Sequence, residues 1–98
     1  MSAYVRSKDL MNSAALWMRV DGKEGEPLAF DNMGDRPIKG TSDWTKYEIV
    51  LNVPASAQEI ASGILLSGRG QVWMSALSFE IVGNDVPTTA EDLPKAPQ

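Results

Sequence analysis

The side chains best suited to chemistry in this 98-residue sequence are three tryptophans, two arginines and a short acidic-amide run. Trp17 and Arg19 stand two apart in Ala14–Asp21 (AALWMRVD), and Trp73 stands in Gln71–Val82 (QVWMSALSFEIV). Indole faces stack on the C–H faces of sugar rings, while guanidinium, carboxylate and amide groups bind hydroxyls. If their two faces meet, Trp17, Arg19 and Trp73 form an aromatic platform. FDNMGDR (30–36) then offers Asp31, Asn32 and Arg36 as a polar rim. The competing reading makes Trp17 and Trp73 core anchors, since aromatic rings supply large burial in a small core. Trp44, at the start of a strand, is read as core.

The acidic run admits two further readings. Asp31, Asn32 and Asp35 carry oxygens of the kind that bind Ca²⁺. Their spacing is not that of an EF-hand loop and the local ligands are too few, so no metal is assigned. Alternatively, Asp31 and Asn32 hold the loop by side-chain to backbone hydrogen bonds, and Asp35 pairs with Arg36 or Arg19. Asp21, Asp31, Asp43, Glu48 and Glu80 lie in or beside strands, but nothing in the sequence brings two of them to the separation a glycosidase needs. SGRG (67–70) reads as a hairpin turn and not as a phosphate cradle.

Composition narrows the field further. There is no Cys and no His, which removes thiol nucleophiles, Ser–His triads and the usual zinc sites. No cofactor is expected. A net charge of −4 and a pI near 4.6 lead to the expectation of no nucleic-acid partner. No apolar run reaches membrane-spanning length, and the N-terminus does not read as a signal peptide. The expectation is therefore a cytoplasmic protein with no membrane contact.

The elements that must position these groups are strands. Apolar residues recur with period two in Ser2–Ser7, Ala14–Asp21, Trp44–Val53 and Gln71–Val82, while Leu28–Met33 reads as a short strand and Ile64–Leu66 as a short apolar run. In Trp44–Val53, Tyr47, Ile49, Leu51 and Val53 point one way; Lys46, Glu48, Val50 and Asn52 point the other. ASAQEIAS (55–62) reads as a helical turn too short to stand alone. Glycine- and proline-containing segments punctuate the rest. The expectation is an all-β antiparallel sandwich of about six strands over residues 1–82, without a substantial helix. Residues 83–98 read as a polar, proline-containing tail, extended or disordered.

The stretch from Gly40 to Gly83 is more specific than its alternation. Trp44 and Tyr47 lead into Val53–Pro54, Gly63 sits in an apolar strand, and Gly70, Val72 and Trp73 open the last one. It resembles the C-terminal half of a galactose-binding-domain-like jelly roll, the architecture of many carbohydrate-binding modules. The upstream ALWMRVDG…LAFDNMGDRPIKGTSDW resembles an uncharacterised group of bacterial domains found alone or joined to transcriptional regulators. Such domains usually begin with further strands before the one equivalent to Ser2–Ser7, so the resemblance implies an uncovered edge or face.

Together these readings lead to a non-catalytic module for a sugar or a small apolar ligand, with a second copy of the chain completing the sheet as a homodimer. The alternatives are a structural or dimerisation module without a ligand and, behind it, a small hydrolase.

Overall fold

A computed structural model describes residues 1–91 and 93. The strands are β1 (Ser2–Asp21), β2 (Pro27–Asp31), β3 (Ile38–Glu48), β4 (Glu59–Ser67) and β5 (Gln71–Ser78). A single 3₁₀ turn, Lys23–Gly25, follows β1. All strand pairings are antiparallel, and β1 is the partner in every one of them. The all-β class expected from the alternation is what the chain forms. The strands make one open sheet of five.

The sheet consists of three ribbons. Along one side of β1 run β2, paired with Met18–Asp21, and β3, paired with Ser2–Ala14. Along the other run β4, paired with Ser13–Asp21, and β5, paired with Ser2–Lys8. The first two expected strands, Ser2–Ser7 and Ala14–Asp21, are therefore a single 20-residue strand. The polar stretch between them does not break it, because Asp9 inserts an extra residue with φ of +54°. Ala3, Val5 and Ser7 are buried before it; Leu10, Ala14, Leu16, Met18 and Val20 are buried after it. Side chains alternate strictly along a strand, so only an added residue can move the buried set from odd to even positions without changing face.

All three ribbons bend at the same level. Opposite the Asp9 insertion lie Gly40, paired with Leu10 and at φ +66°, and the Gly68–Gly70 turn, whose Arg69 carbonyl accepts from Met11 N–H at 2.8 Å. Both turn glycines have positive φ, where a Cβ would be strained. The bend is sharp. A straight β3 would hold its ends roughly 33 Å apart, yet Arg36, two residues before it, donates from Nη2 to the carbonyl of its last residue, Glu48, at 3.3 Å. The inner faces of the two halves consequently share one core: Ala3 and Val5 from one half, Leu16, Met18 and Val20 from the other, joined by Ala29, Met33, Ile38 and Ile49. Burying side chains of this size contributes about 1.5–3 kcal/mol for each Val, Leu, Ile or Met.

Other boundaries move for local reasons. IKGTSD, read as loop because of Pro37 and Gly40, belongs to β3, since the glycine supplies the bend and not a stop. Chain 59–62 continues β4 instead of making a helical turn. β5 ends at Ser78, close after Ala76 at φ +55°. Beyond it, Thr89 N–H donates to the Val50 carbonyl at 2.8 Å and Leu93 N–H to the Leu28 carbonyl at 3.0 Å, so this part of the expected tail lies extended against the body. Residues 92 and 94–98 of that tail lie outside the described residues. Among the described residues no helix is long and apolar enough to cross a membrane.

Candidate functional site

The bend separates the six residues singled out above. Because the inner faces turn toward one another, the outer faces of the two halves turn away. Trp17 and Arg19 lie on the outer face of one half, paired with Gly63 and with Phe30 and Ala61. Trp73 lies on the outer face of the other, paired with Arg6. The register positions Arg6 and Trp17 are eleven residues apart along β1, so Trp17, Arg19 and Trp73 do not form one platform.

Each group has its own local purpose. The Trp17 indole lies flat against Gly63; a Cβ added there would stand 2.8 Å from Nε1. Arg19 Nε donates to both carboxylate oxygens of the buried Asp21, at 2.8 and 3.0 Å, which holds the guanidinium above its ordinary pKa.

Asp31, Asn32 and Arg36 form an internal clasp at the β2–β3 connection. Asp31, paired with Met18 on the inner face, is 5% exposed. It accepts from Arg36 Nη2 at 2.6 Å, Arg36 Nη1 at 3.3 Å and Met33 N–H at 2.8 Å. Burial pushes the Asp31 carboxyl up, but hydrogen bonds from Arg36, Thr89 and Met33 together hold it below its ordinary range. Asn32 Oδ1 accepts from Gly34 N–H at 3.0 Å, and Arg36 also binds Asp35 at 2.8 Å. The loop-holding alternative describes this arrangement. The Arg36 guanidinium is bound to the carboxylates of both Asp31 and Asp35, and among the described residues no cluster of three His, Cys, Asp or Glu could hold a metal.

The open face around Trp73 brings together residues that the sequence reading did not group. Arg6 lies with its guanidinium carbon 5.1 Å from the centre of the Trp73 ring. On the other side of β1, Val5 pairs with Thr45 and Ser7 with Ser42, so a register shift between them sets both Asp43 and Trp44 opposite Arg6. Trp44, read above as core, is 45% exposed, and Trp73 is 38% exposed. Tyr4 and Lys46 form the neighbouring row on the same face. A row of Trp44, Arg6 and Trp73 thus crosses all three ribbons.

Next to this row, at the bend, is a depression of about 380 Å³ lined by Arg6, Ser7, Lys8, Asp9, Thr41, Ser42 and Asp43. Its hydroxyls and carboxylates are pre-set by the bend. Thr41 Oγ1 accepts from Asp9 N–H at 2.9 Å, the Ser42 hydroxyl is held 3.2 Å from that of Ser7, which is itself buried, and Asp43 Oδ1 accepts from Trp44 N–H at 2.8 Å. Donors (Arg6, Lys8) and acceptors (Asp9, Asp43) flank hydroxyls that serve as either. The parity of the strand could have revealed this face: Trp44 shares its side with Lys46 and Glu48, the outward set. The depression could not have been read off, because it exists only where Asp9 and Gly40 bend two ribbons together.

Against known proteins, the chain is 46% identical over 94 residues to the uncharacterized HTH-type transcriptional regulator YbfP of Bacillus subtilis (strain 168). The match takes in 96% of the chain but 32% of the regulator, so the chain spans about a third of that relative's length. No family model matches, and no solved structure matches. The relative agrees with the resemblance to bacterial domains joined to transcriptional regulators. It also corrects the expectation of no nucleic acid. That expectation rested on net charge, which describes the surface of these 98 residues and does not decide against the DNA-binding context of the relative.

Proposed function

We propose that this chain is a non-catalytic ligand-binding module of an HTH-type transcriptional regulator, and that its ligand is of the sugar class. One observation carries the reading: the exposed Trp44–Arg6–Trp73 row runs beside a depression whose lining mixes hydrogen-bond donors, acceptors and hydroxyls. A sugar needs both an apolar face to stack on and partners for hydroxyls that donate and accept. The regulator context is supported by the Bacillus relative. In that context the module works in the cytoplasm, and DNA is contacted by the HTH unit of the longer polypeptide. The jelly-roll resemblance is in keeping with this reading.

Asp9 and Asp43 share the depression, which raises the hydrolase alternative. A glycosidase needs one carboxyl kept protonated, usually by burial. Both side chains are exposed here. Binding is therefore the better reading.

The test is a tryptophan-fluorescence titration against a panel of mono- and oligosaccharides, with Trp73→Ala, Trp44→Ala and Trp17→Ala in parallel. A saturable change that is lost in Trp73→Ala and retained in Trp17→Ala is expected. A panel that produces neither a fluorescence change nor a rise in melting temperature would remove the ligand reading and leave the structural one.

A further inference from the structure

The two open edges of the sheet are built differently. The β2–β3 edge carries Pro27, Asp31, Lys39, Asp43, Lys46 and Glu48 within its strands. Prolines and charges of this kind keep an exposed strand from pairing with another chain. The β4–β5 edge has none of them after Glu59. IASGILLS (60–67) and QVWMSALS (71–78) contain no charged residue and no proline. Among the described residues both strands pair with β1 alone, which leaves their far side without a strand partner there.

The side chains of this ribbon are uncovered as well. Ile60, Leu66 and Met74 pair with Val20, Ala14 and Val5, each of them a buried inner-face residue. They point inward, yet they are 47%, 42% and 38% exposed. Leu77, which the register shift at Ala76 brings opposite the buried Ala3, is exposed too, and on the outer side so is Leu65. An inner face left half in water over this length is an incomplete core, and contiguous apolar surface of this kind marks an interaction site.

We propose that the β4–β5 edge is the docking site for an extended, alternately apolar strand supplied by the HTH-bearing remainder of a regulator, added antiparallel or parallel to residues 60–78. Backbone hydrogen bonds would supply the affinity, and the inner-face gaps beside Ile60, Leu66 and Met74 would take every second side chain. The occupant is assigned to the remainder because the relative has two thirds of its length outside the match. The charged β2–β3 edge is built to refuse the same strand. This inference is independent of the ligand reading.

Hydrogen–deuterium exchange of this chain tests it, with overlapping synthetic peptides that tile the unmatched two thirds of the Bacillus regulator as probes. At least one peptide should slow exchange of the β4 and β5 amides by tenfold or more and leave the β2–β3 edge unchanged. Leu66→Lys/Met74→Lys should abolish that protection at an unaltered far-ultraviolet spectrum; Ile60→Lys, in the same row of inner-face gaps and 47% exposed, replaces the double variant if it unfolds. Failure of every peptide to protect this edge overturns the proposal. So does an edge already protected in the free chain at the mass of two copies, since a second copy would then be the occupant.

Discussion

Replacing Arg36 by methionine isolates the clasp that holds the bent sheet closed. The variant keeps most of the side-chain volume and removes the guanidinium. It leaves Asp31, 5% exposed, with the Met33 N–H at 2.8 Å but without the 2.6 Å and 3.3 Å bonds from Arg36. It also removes the link to the Glu48 carbonyl across the bend. Breaking a buried pair from one side costs about 3–5 kcal/mol. Arg36 is itself about a third exposed, so water screens part of the interaction, and about 2–3 kcal/mol is the expected loss. That is a large share of the roughly 5–15 kcal/mol that stabilises a domain. Urea unfolding at neutral pH reads the loss as a shifted midpoint at constant slope. The pH dependence supplies the sign. In the native chain the folded Asp31 pKa is depressed, so its contribution is present above the ordinary carboxylate range and is lost as pH falls through the folded value. In Arg36→Met, burial acts without the guanidinium and raises the folded pKa, so acid favours the folded variant by protonating Asp31. The stability gap between the two proteins should therefore narrow as pH falls. A gap below about 1 kcal/mol at neutral pH, or one that widens in acid, would refute the assignment of the clasp.

Three further outcomes follow from particular contacts. Gly63→Ala places a Cβ 2.8 Å from Trp17 Nε1 and should cost about 1–3 kcal/mol in thermal or urea unfolding, with a shift in tryptophan emission as the indole moves. Asp9→Val puts a β-branched residue at φ +54° and should destabilise by about 1–3 kcal/mol, whereas Asp9→Asn, which tolerates that conformation, should stay near the native value. Thr89→Val removes the hydroxyl that accepts from Val50 N–H at 2.9 Å; it should cost about 1 kcal/mol and speed proteolytic cleavage within residues 83–91.

The all-β class was legible because apolar residues alternate along both halves of β1 and the second half of β3. The register was less so, because it depends on single residues. Asp9 looks like an ordinary loop aspartate, yet its positive φ joins two expected strands into β1 and preserves one buried face. Gly40 looks like a breaker and is a bend inside β3. The six chosen residues share the right chemistry, but alternation says only which face a residue takes on its own strand. The fold of the sheet decides which faces meet, and it sends Trp17 and Trp73 to opposite outer surfaces. Trp44 was misread for a different reason: its size argued for burial, while its parity with Lys46 placed it outward. The hydrogen bonds of Asp31 and Asn32 to Met33 and Gly34 N–H and the Asp35–Arg36 pair were legible from residue type and spacing; the buried Asp31–Arg36 pair was not.

The position of β1 has a consequence for the order in which the chain is built. It is the first of the five strands in chain order, yet Ser2 must wait for Glu48 on one side and Ser78 on the other. No partner of β1 except β2 is close to it in sequence. Pairings of such wide separation close large loops before they are rewarded, which slows folding. During synthesis the hub of the molecule is thus the segment left longest without neighbours, and the growing chain must keep it from other company until its last strand arrives.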